Sequence, residues 1–391
     1  MTPYLQRDIK VKEKMKILMI LSNPFITDPR VNKEAKTLVD AGNEVTIIVW
    51  DRHKDYESKS MVDGIKIVRI HNKGLMKILS HDLFKNPLWW RKAYKKGLEL
   101  YKNDFKFDVV HCHDLDTLKS GVWLKKKLGI KLIYDAHEIF GYMIEKNVPT
   151  FMVNATFRME KRLLRYVDRI ITVNEPCKDY FKSITDKPIT IVINCKNFIS
   201  KQYHPPKNDI FTISYIGSLD KARMFPELVD IIGNIGRVKF IIISKKENLY
   251  KEVKKRCESY KNVEFLDSIP YKEVIKKTFE SNVVICMFDP NSKSHQVGLP
   301  NKIFEAMVTA RPIIVTKNMY YSNEFVDKEK CGLSVNNNCD EVREALIKLR
   351  DNPKLCEKLG KNGQKAAKDR YNWEMQSLKL LNVYDDIQHS N

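Results

Sequence analysis

Short apolar runs alternate with amphipathic segments along the first half of the chain. The run at residues 15–22 (MKILMILS) predicts a buried strand, turn residues follow it, and residues 31–41 have a helical pattern. The same logic predicts further strands at 45–50, 65–70, 109–112 and 131–134, with a helix at 117–128. Strands that alternate with helices predict a doubly wound α/β domain with a parallel sheet.

A second series of the same kind begins at residue 211. Its predicted strands are 211–216, 239–243, 263–265, 283–288 and 312–316, and its predicted helices are 226–235, 249–259, 271–280 and 300–309. The polar segment 198–209, which contains two adjacent prolines, resembles an interdomain linker. We therefore predict a tail at 1–14, an N-terminal domain at 15–203, a C-terminal domain at 204–370 and a terminal helix at 371–391.

Length, cysteine content, apolar runs and net charge limit the kinds of protein that this chain can be. The 391 residues suffice for two domains, and eight scattered cysteines without a C-x-x-C pair favour a reduced, cytoplasmic protein. No apolar run has the length of a spanning helix, and the first residues lack the apolar core of a signal peptide, so we expect neither membrane spanning nor export. The net charge of +20 predicts attraction to nucleic acid, an anionic bilayer or a phosphorylated ligand.

Polar loops directly after the predicted strands are where chemistry is expected. Ligands of open parallel sheets bind outside the carboxyl ends of the strands, and two such domains facing each other would form a cleft. The loops in question are 23–30, 113–116, 135–138, 217–223 and 289–302.

Gly298 to Pro312 (GLPNKIFEAMVTARP) predicts a helix with Pro300 at its first position and a buried apolar stripe that leaves Glu305 off it. The N-terminus of that helix, reinforced by Lys302, is a natural diphosphate site. Glu305, one turn deeper, can accept hydrogen bonds from a ribose diol; the alternative is a solvent-facing carboxylate.

This segment resembles the donor-binding segment of the family 4 retaining glycosyltransferases, in the subgroup with a Leu-Pro-Asn-Lys stretch at 299–302. The resemblance implies that Asn301, Lys302 and Glu305 bind a nucleotide-sugar donor. A second glutamate that the family usually has is replaced here by Val297, so its contact with the sugar would fall to backbone groups or to Ser294 and His295.

The segment Tyr215 to Arg223 (YIGSLDKAR) places a glycine and two cations after a strand. Gly217 permits close approach of a ligand to the backbone. Ser218 stands where the family usually has arginine, so we predict that Arg223, rather than Lys221, stabilises the departing diphosphate. A solvated loop cation is the alternative.

Histidines and carboxylates follow two neighbouring strands of the N-terminal domain, in HCHD at 111–114 and DAHE at 135–138. The family has histidines in both loops, which implies that His137 lies near the transferred sugar and that His113, Asp114 and Glu138 line the acceptor side. Arg30, in a DPRV stretch like that of some subgroups, would meet an acceptor phosphate or else belong to a helix-capping loop. A metal site at the adjacent His111, Cys112 and His113 is not expected, because neighbouring strand residues point to opposite sides.

The resemblance covers about residues 15–387 and implies the GT-B fold, with a C-terminal helix that crosses back to the N-terminal domain. It also implies a metal-independent transferase that retains anomeric configuration and moves a sugar from a nucleotide-sugar donor to a glycan or lipid-linked acceptor. Fixed cations would replace Mg²⁺, in keeping with the absence of a D-x-D stretch. The alternatives are a nucleotide-sugar epimerase of the same fold, a noncatalytic scaffold, and a nucleic-acid-binding protein, which has no recognisable module here.

The segment 74–106 interleaves two groups of residues. They are the apolar and aromatic Leu75, Ile78, Leu79, Phe84, Trp89, Trp90 and Tyr94, and the cationic Lys77, Lys85, Arg91, Lys92, Lys95 and Lys96. Such interleaving is typical of interfacial binding, and we predict reversible docking on an anionic membrane at the inner face of the cell. An amphipathic helix packed on its own sheet is the alternative.

Overall fold

The computed structural model describes residues 14–389 except 27, 79–81, 104 and 200–201, and it does not describe the side chains of 82–84, 271 and 272. The chain divides into two compact units: residues up to Val192 together with those from Ser377 onward, and Ile193–Gln376. This division falls before the predicted boundary at residue 203. The backbone N–H of Ile193 donates to Gln376 (3.1 Å), and Lys196 pairs with Glu305 (3.2 Å), so this stretch is bonded to the second unit.

The first unit contains an eight-stranded sheet in the described part of the chain. In sheet order its strands are β3 (Lys59–Val62), β4 (Ile65–His71), β2 (Glu44–Asp51), β1 (Lys16–Leu21), β5 (Val109–His113), β6 (Lys131–Ala136), β7 (Arg169–Thr172) and β8 (Ile189–Ile191). All neighbours pair in parallel except β3, which is antiparallel to β4. The short edge strand β3 was not predicted, because its four residues carry no continuous apolar run.

Helices cover this sheet. They are α1 (Pro29–Asp40), α2 (Leu75–Ile78), α3 (Asp82–Lys102), α4 (Leu115–Leu128), α5 (Phe140–Ile144), α6 (Thr150–Leu164) and α7 (Glu175–Ile184). Asp28 caps the N-terminus of α1 by accepting hydrogen bonds from two backbone N–H groups of the first turn, which fixes where the helix begins.

Within its described residues the second unit contains a six-stranded parallel sheet. Its order is β11 (Val263–Asp267), β10 (Val238–Ser244), β9 (Phe211–Ile216), β12 (Val283–Cys286), β13 (Ile313–Thr316) and β14 (Gly332–Val335). Its helices are α8 (Glu227–Gly233), α9 (Tyr250–Cys257), α10 (Tyr271–Phe279), α11 (Lys293–Val297), α12 (Asn301–Val308), α13 (Ser322–Glu329), α14 (Cys339–Arg350) and α15 (Pro353–Asp369). The last helix, α16 (Trp373–His389), begins in this unit, and its residues from Ser377 onward belong to the first unit.

Each sheet has one point where the strand order reverses. In the first unit β1 lies between β2 and β5, and in the second β9 lies between β10 and β12. The carboxyl ends of the strands at such a point leave a crevice for a ligand. Candidate site residues are therefore expected at the carboxyl ends of β1, β5, β9 and β12.

The predicted membrane-binding segment is not an exposed aromatic face where the structure describes it. Trp89 is fully buried and stacks on Trp50 with ring centroids 5.2 Å apart. Trp90 is 8% exposed and donates its indole N–H to the carbonyl of Asp116 (2.7 Å). The prediction that these two rings contact a membrane is wrong, because they belong to the core on which α3 packs.

Some of the other apolar residues in the segment 74–106 are exposed, and others lie outside the described residues. Leu75 and Ile78 on α2 are 56% and 79% exposed, whereas Leu79 and the side chain of Phe84 lie outside the described residues. No helix in the described ranges is both long and apolar enough to cross a bilayer. All eight cysteines are free thiols, seven of them buried.

Candidate functional site

Four buried side chains meet at the carboxyl end of β5 in the first unit. His111 and His113 are two residues apart on the strand and therefore lie on the same side, with their rings stacked at 4.3 Å. Asp135 lies opposite His113 on β6, and its Oδ2 is 3.0 Å from His113 Nδ1 and 3.4 Å from His111 Nε2. Glu34 of α1 covers them, with its Oε2 4.0 Å from His113 Nδ1.

His137 completes this network from the loop after β6. Its Nε2 lies 3.0 Å from Asp135 Oδ2, and its backbone N–H donates to Asp114 Oδ1 (3.2 Å). The predicted residues His113, Asp114 and His137 are thus brought together. Both His113 and Asp135 are fully buried, so neither can contact a substrate at the surface of the unit without rearrangement.

Burial and pairing shift the pKa values of this network in opposite directions. Burial alone would raise the pKa of Asp135, but the imidazoles of His137, His111 and His113 hold that pKa well below its ordinary value. Burial, and then the neighbouring Asp135, raise the pKa of Glu34 well above its ordinary value. Burial lowers the pKa of His111 to about 4, whereas Asp135 outweighs burial at His137 and raises its pKa.

Arg30 lies at the same edge of the sheet and forms an ion pair with Asp28 (3.1 Å), the residue that caps α1. Its side chain is 27% exposed. The pKa of the guanidinium is raised despite burial, because Asp114 and Asp28 lie nearby. Arg30 therefore serves the helix cap, and its exposed part remains available to a ligand. Glu138, the fourth residue predicted on the acceptor side, is exposed.

The second unit presents a lysine beside a glycine at the end of β9. A Cβ atom on Gly217 would lie 2.8 Å from the Nζ of Lys302, and the φ of +154° at Gly217 is one that L residues rarely adopt. The Lys302 ammonium lies 4.7 Å from the centroid of the Tyr215 ring. Among the described residues no carboxylate comes within 4 Å of this ammonium. Burial, and to a smaller extent the charge of Arg223, lower the pKa of Lys302.

Arg223 lies in a single 3-10 turn at Lys221–Arg223, close to Lys302. Its Nη1 donates to the Asp220 carboxylate and to the Ser218 carbonyl (3.4 Å), and the Tyr215 hydroxyl donates to that same carbonyl. The predicted cation is therefore neutralised within its own loop, because Asp220 is three residues away. Ser218 contributes its backbone oxygen rather than its hydroxyl to these contacts.

Glu305 differs from the prediction that it lies off the buried stripe. Every residue of α12 from Ile303 to Val308 is buried, and Glu305 is 7% exposed with its Oε1 3.2 Å from the Nζ of Lys196. Asn301 is exposed and accepts a hydrogen bond from Asn194 Nδ2 (3.1 Å). Pro300 has an extended ψ of 140°, so the helix begins at Asn301 rather than at the proline.

The residues suggested as substitutes at Val297 lie on the short helix α11. Ser294 Oγ is 3.2 Å from Ser292 Oγ, and the His295 ring lies 4.3 Å from the ring of Phe288. Both contacts are internal to the loop that precedes α12.

Sequence reasoning missed Glu34, His111 and Lys196. The signal for His111 was present, since a residue two positions before His113 on a strand faces the same side. Glu34 occupies a buried position of α1, whereas a carboxylate in a helix is usually exposed. Lys196 has no local signal, because its partner Glu305 is more than a hundred residues away in the chain.

Comparison with solved structures shows the fold of the chain. The chain matches sucrose-phosphate synthase from Thermosynechococcus elongatus with a TM-score of 0.77 at 15% identity, covering 96% of this chain and 100% of that one. It matches Anabaena Alr3699/HepE in complex with UDP-glucose with a TM-score of 0.69 at 12% identity, covering 95% and 100%. The chain has the GT-B fold, built from two parallel-sheet α/β domains.

The two units also match family descriptions. Residues 30–195 match Glycosyltransferase Family 4, and residues 210–352 match Glycosyl transferases group 1. Each unit therefore matches the description of a glycosyltransferase domain.

Two relatives are similar over most of the chain, and a third over about half of it. An uncharacterized glycosyltransferase of Methanocaldococcus jannaschii, MJ1178, is 22% identical and covers 95% of this chain and 99% of its own. The alpha-monoglucosyldiacylglycerol synthase of Acholeplasma laidlawii is 23% identical over 88% and 89%. The capsular polysaccharide biosynthesis glycosyltransferase CapM of Staphylococcus aureus is 24% identical over 48% and 50%.

Proposed function

We propose that this protein is a metal-independent, retaining glycosyltransferase that moves a hexose from a nucleotide-sugar donor to a glycan or lipid-linked acceptor. The observation that carries the proposal is the Lys302 ammonium, which has no carboxylate partner within the described chain and lies beside Gly217 at the reversal point of the second sheet. A cation held in this way is available to an anionic ligand from outside.

The donor diphosphate fits between the Gly217 backbone and the start of α12. Without a side chain at residue 217, phosphate oxygens can approach both the backbone and the Lys302 ammonium. The first backbone N–H groups of α12, from Asn301 on, add the positive end of a helix dipole. A UDP-sugar is the first donor to test, because the HepE structure contains UDP-glucose.

Glu305 is proposed to hold the donor ribose. Its Oε1 contacts Lys196, and its Oε2 has no hydrogen bond to any described residue, so one oxygen positions the carboxylate and the other can accept from the diol. This arrangement makes Lys196 a positioning residue for the donor site.

The transfer requires stabilisation of charge rather than a covalent enzyme intermediate. The acceptor hydroxyl attacks the anomeric carbon from the side of the leaving group while the bond from that carbon to the phosphate oxygen breaks. The acceptor's proton passes to that phosphate oxygen. Lys302 and Arg223 stabilise the departing diphosphate, which is the role that Mg²⁺ or Mn²⁺ would otherwise have. His137, whose pKa is raised by Asp135, shapes the sugar subsite.

The acceptor is proposed to belong to cell-surface polysaccharide or glycolipid synthesis. The names of CapM and of the diacylglycerol-linked relative support this class. Arg30, Asp114 and Glu138 would form the acceptor side, and the fully buried His113 would lie behind them. An anionic membrane surface remains part of the proposal for the +20 chain, with the exposed Leu75 and Ile78 rather than the buried tryptophans as the apolar contact.

A donor screen followed by product detection tests this function. Thermal-shift measurements with UDP, GDP, ADP and dTDP sugars select the donor, and mass spectrometry then detects products with lipid-phosphate and free-sugar acceptors. We expect acceptor-dependent transfer with retained anomeric configuration, at a rate that added Mg²⁺ or Mn²⁺ does not change. Conversion of the donor without acceptor would identify an epimerase instead, and binding of no donor would contradict the proposal.

A further inference from the structure

Glu34, His111, His113 and Asp135 form a compact buried cluster in the first unit, which we name the His/carboxylate cluster. Each residue contributes one nitrogen or carboxylate oxygen that lies within 4.8 Å of those of the other three. Three elements supply them: α1, β5 and β6. The three β-strand residues are fully buried and Glu34 is 4% exposed, so this is not a solvated acidic surface.

The fold aims these donors at one point. His111 and His113 face the same side of β5, His113 is in register with Asp135 on β6, and Glu34 lies on the buried face of α1. The intervening Cys112 faces the opposite side, where a Cβ on Gly121 would come 2.3 Å from its sulfur. The thiol is therefore excluded from the cluster.

The separations between donor atoms match those of ligands that share one ion. Asp135 Oδ2 lies 3.0 Å from His113 Nδ1 and 3.4 Å from His111 Nε2, and His113 Nδ1 lies 4.0 Å from Glu34 Oε2. Four ligands at the ~2.0–2.2 Å bond lengths of zinc, arranged as a tetrahedron, lie about 3.4 Å from one another.

The hydrogen bonding of the cluster is incomplete without another partner. Glu34 Oε2, His111 Nε2 and Asp135 Oδ1 are buried atoms that make no hydrogen bond within the described chain. Buried polar atoms are almost always paired, and unpaired ones destabilise the fold. Asp135 does receive a hydrogen bond from one imidazole, that of His113, but this leaves the other atoms unaccounted for.

A neighbouring hydroxyl group fixes the orientation of the His111 ring. Hydrogen-bond partners of metal-binding histidines have the same effect. The Tyr384 hydroxyl of α16 shares a hydrogen bond with His111 Nδ1 (2.6 Å), which leaves Nε2 directed at the cluster. Metal-binding histidines usually have such a partner on the nitrogen away from the ion. His137 and the Arg30–Asp28 pair lie just outside and do not account for the unpaired atoms.

We infer that the His/carboxylate cluster binds one first-row transition metal ion, with Zn²⁺ as the best match. Two imidazoles and two carboxylates suit such an ion, whereas Mg²⁺ and Ca²⁺ prefer oxygen ligands alone. The four protein ligands close the site, so the ion has a structural role: it joins α1 to β5 and β6 and takes no part in the transfer. This site is separate from the donor diphosphate site, whose proposed metal independence is unaffected.

Metal analysis of the whole protein tests this inference without using activity. The protein is treated with a chelator, loaded with Zn²⁺, desalted, and measured by plasma mass spectrometry. We expect about one zinc ion per chain and a lower melting temperature after chelation. Glu34→Gln and His111→Asn should each reduce retained zinc by about tenfold or more, while Cys112→Ser and His53→Asn, at a buried thiol outside the cluster and an exposed histidine, should retain it.

Two results would overturn the inference. One is a wild-type protein that retains no Zn²⁺, Co²⁺, Mn²⁺ or Fe²⁺ after loading. The other is retention of the wild-type amount by both cluster variants, which would place the ion elsewhere. If those variants do not fold, the visible absorption of Co²⁺-loaded wild-type protein decides: bands of a protein-ligated ion with nitrogen and oxygen donors support the site, and the spectrum of aqueous Co²⁺ rejects it.

Discussion

The charged side chains at the sheet edges of the two units differ in whether they are paired with groups of opposite charge. In the first unit Asp135 is surrounded by imidazoles, and Arg30 is paired with Asp28, so the charged groups contact one another. In the second unit Arg223 is paired with Asp220, but the Lys302 ammonium lies beside a glycine, with no carboxylate partner among the described residues. The difference indicates that the second edge is prepared for an external anion, whereas the first is stabilised from within.

Removal of the buried carboxylate of Glu305 should have the largest effect. Glu305→Ala breaks the buried ion pair with the Lys196 ammonium, which costs about 3–5 kcal/mol in folding free energy. A helix carboxylate that faced solvent would be lost without this cost. Chemical denaturation of Glu305→Ala, Lys196→Met and the double variant measures it.

The double variant separates pairing from donor binding. We expect it to recover part of the stability lost in Glu305→Ala, because both charges of the ion pair are then removed together, while donor affinity remains weak. Additive losses of stability would contradict the ion pair, and unchanged donor affinity in folded Glu305→Gln would contradict the ribose contact.

Loss of the unpaired cation should affect turnover rather than stability. Lys302→Met removes charge at the leaving diphosphate, and a loss of ~10²–10³ in kcat is expected by analogy with other preorganised electrostatic groups. Lys348→Met, at an exposed lysine on α14, is the matched control and should retain wild-type kcat. A variant at Lys302 with wild-type kcat would remove the contrast between the two edges.

A methyl group at residue 217 should disturb the Lys302 ammonium indirectly. Gly217→Ala places a Cβ 2.8 Å from Lys302 Nζ and forces alanine into an unfavourable φ, so we expect roughly tenfold weaker donor binding. Gly236→Ala in the same unit meets open space and should bind donor as the wild type does. Equal affinities of the two variants would show that the space beside Lys302 is not used.

The smallest effect is expected from the carboxyl group of Asp116, which lies near Asp114 in the first unit. Burial, and then the nearby Asp114, raise the pKa of Asp116 to about 7. The folded state therefore binds a proton that the unfolded chain has released, and stability falls as the pH rises from about 4 to about 7. Asp116→Asn should stabilise the protein by on the order of 1 kcal/mol at pH 8 and little at pH 4.

Melting curves at several pH values check this sign. The exposed Asp186→Asn is the control and should shift the melting temperature equally at both pH values. A larger gain for Asp116→Asn at pH 4 than at pH 8 would contradict the raised pKa.

The sequence predicted the regular elements of the sheets well because buried parallel strands are apolar runs. The strand predicted at 211–216 matches the observed β9, and the other predicted strands lie within a residue or two of observed ones. The strands β7, β8 and β14 were not predicted, since each has only three or four residues and no long apolar run. Helices α5–α7 and α13–α15 were likewise not assigned.

The candidate site was predictable in its location and less so in its contacts. Strand ends pointed to His113, His137, Gly217 and Lys302, because a ligand site of an α/β sheet has a fixed position relative to the strands. Burial of Glu305 and its pairing with Lys196 depend on the tertiary fold, which a pattern along one helix does not contain. The aromatic segment around Trp89 was misinterpreted for the same reason: an amphipathic pattern does not distinguish a core contact from a membrane contact.

The proposed role of Lys302 is tested most directly by comparing the binding of two ligands to two proteins. Dissociation constants are measured by calorimetry for the selected nucleotide sugar and its nucleoside diphosphate, on the wild type and on Lys302→Met. The free diphosphate carries the additional charge that develops as the sugar departs. We therefore predict that Lys302→Met weakens binding of the diphosphate more than binding of the nucleotide sugar. Equal weakening of both ligands, or no weakening of either, would contradict the assignment of Lys302 to the leaving diphosphate.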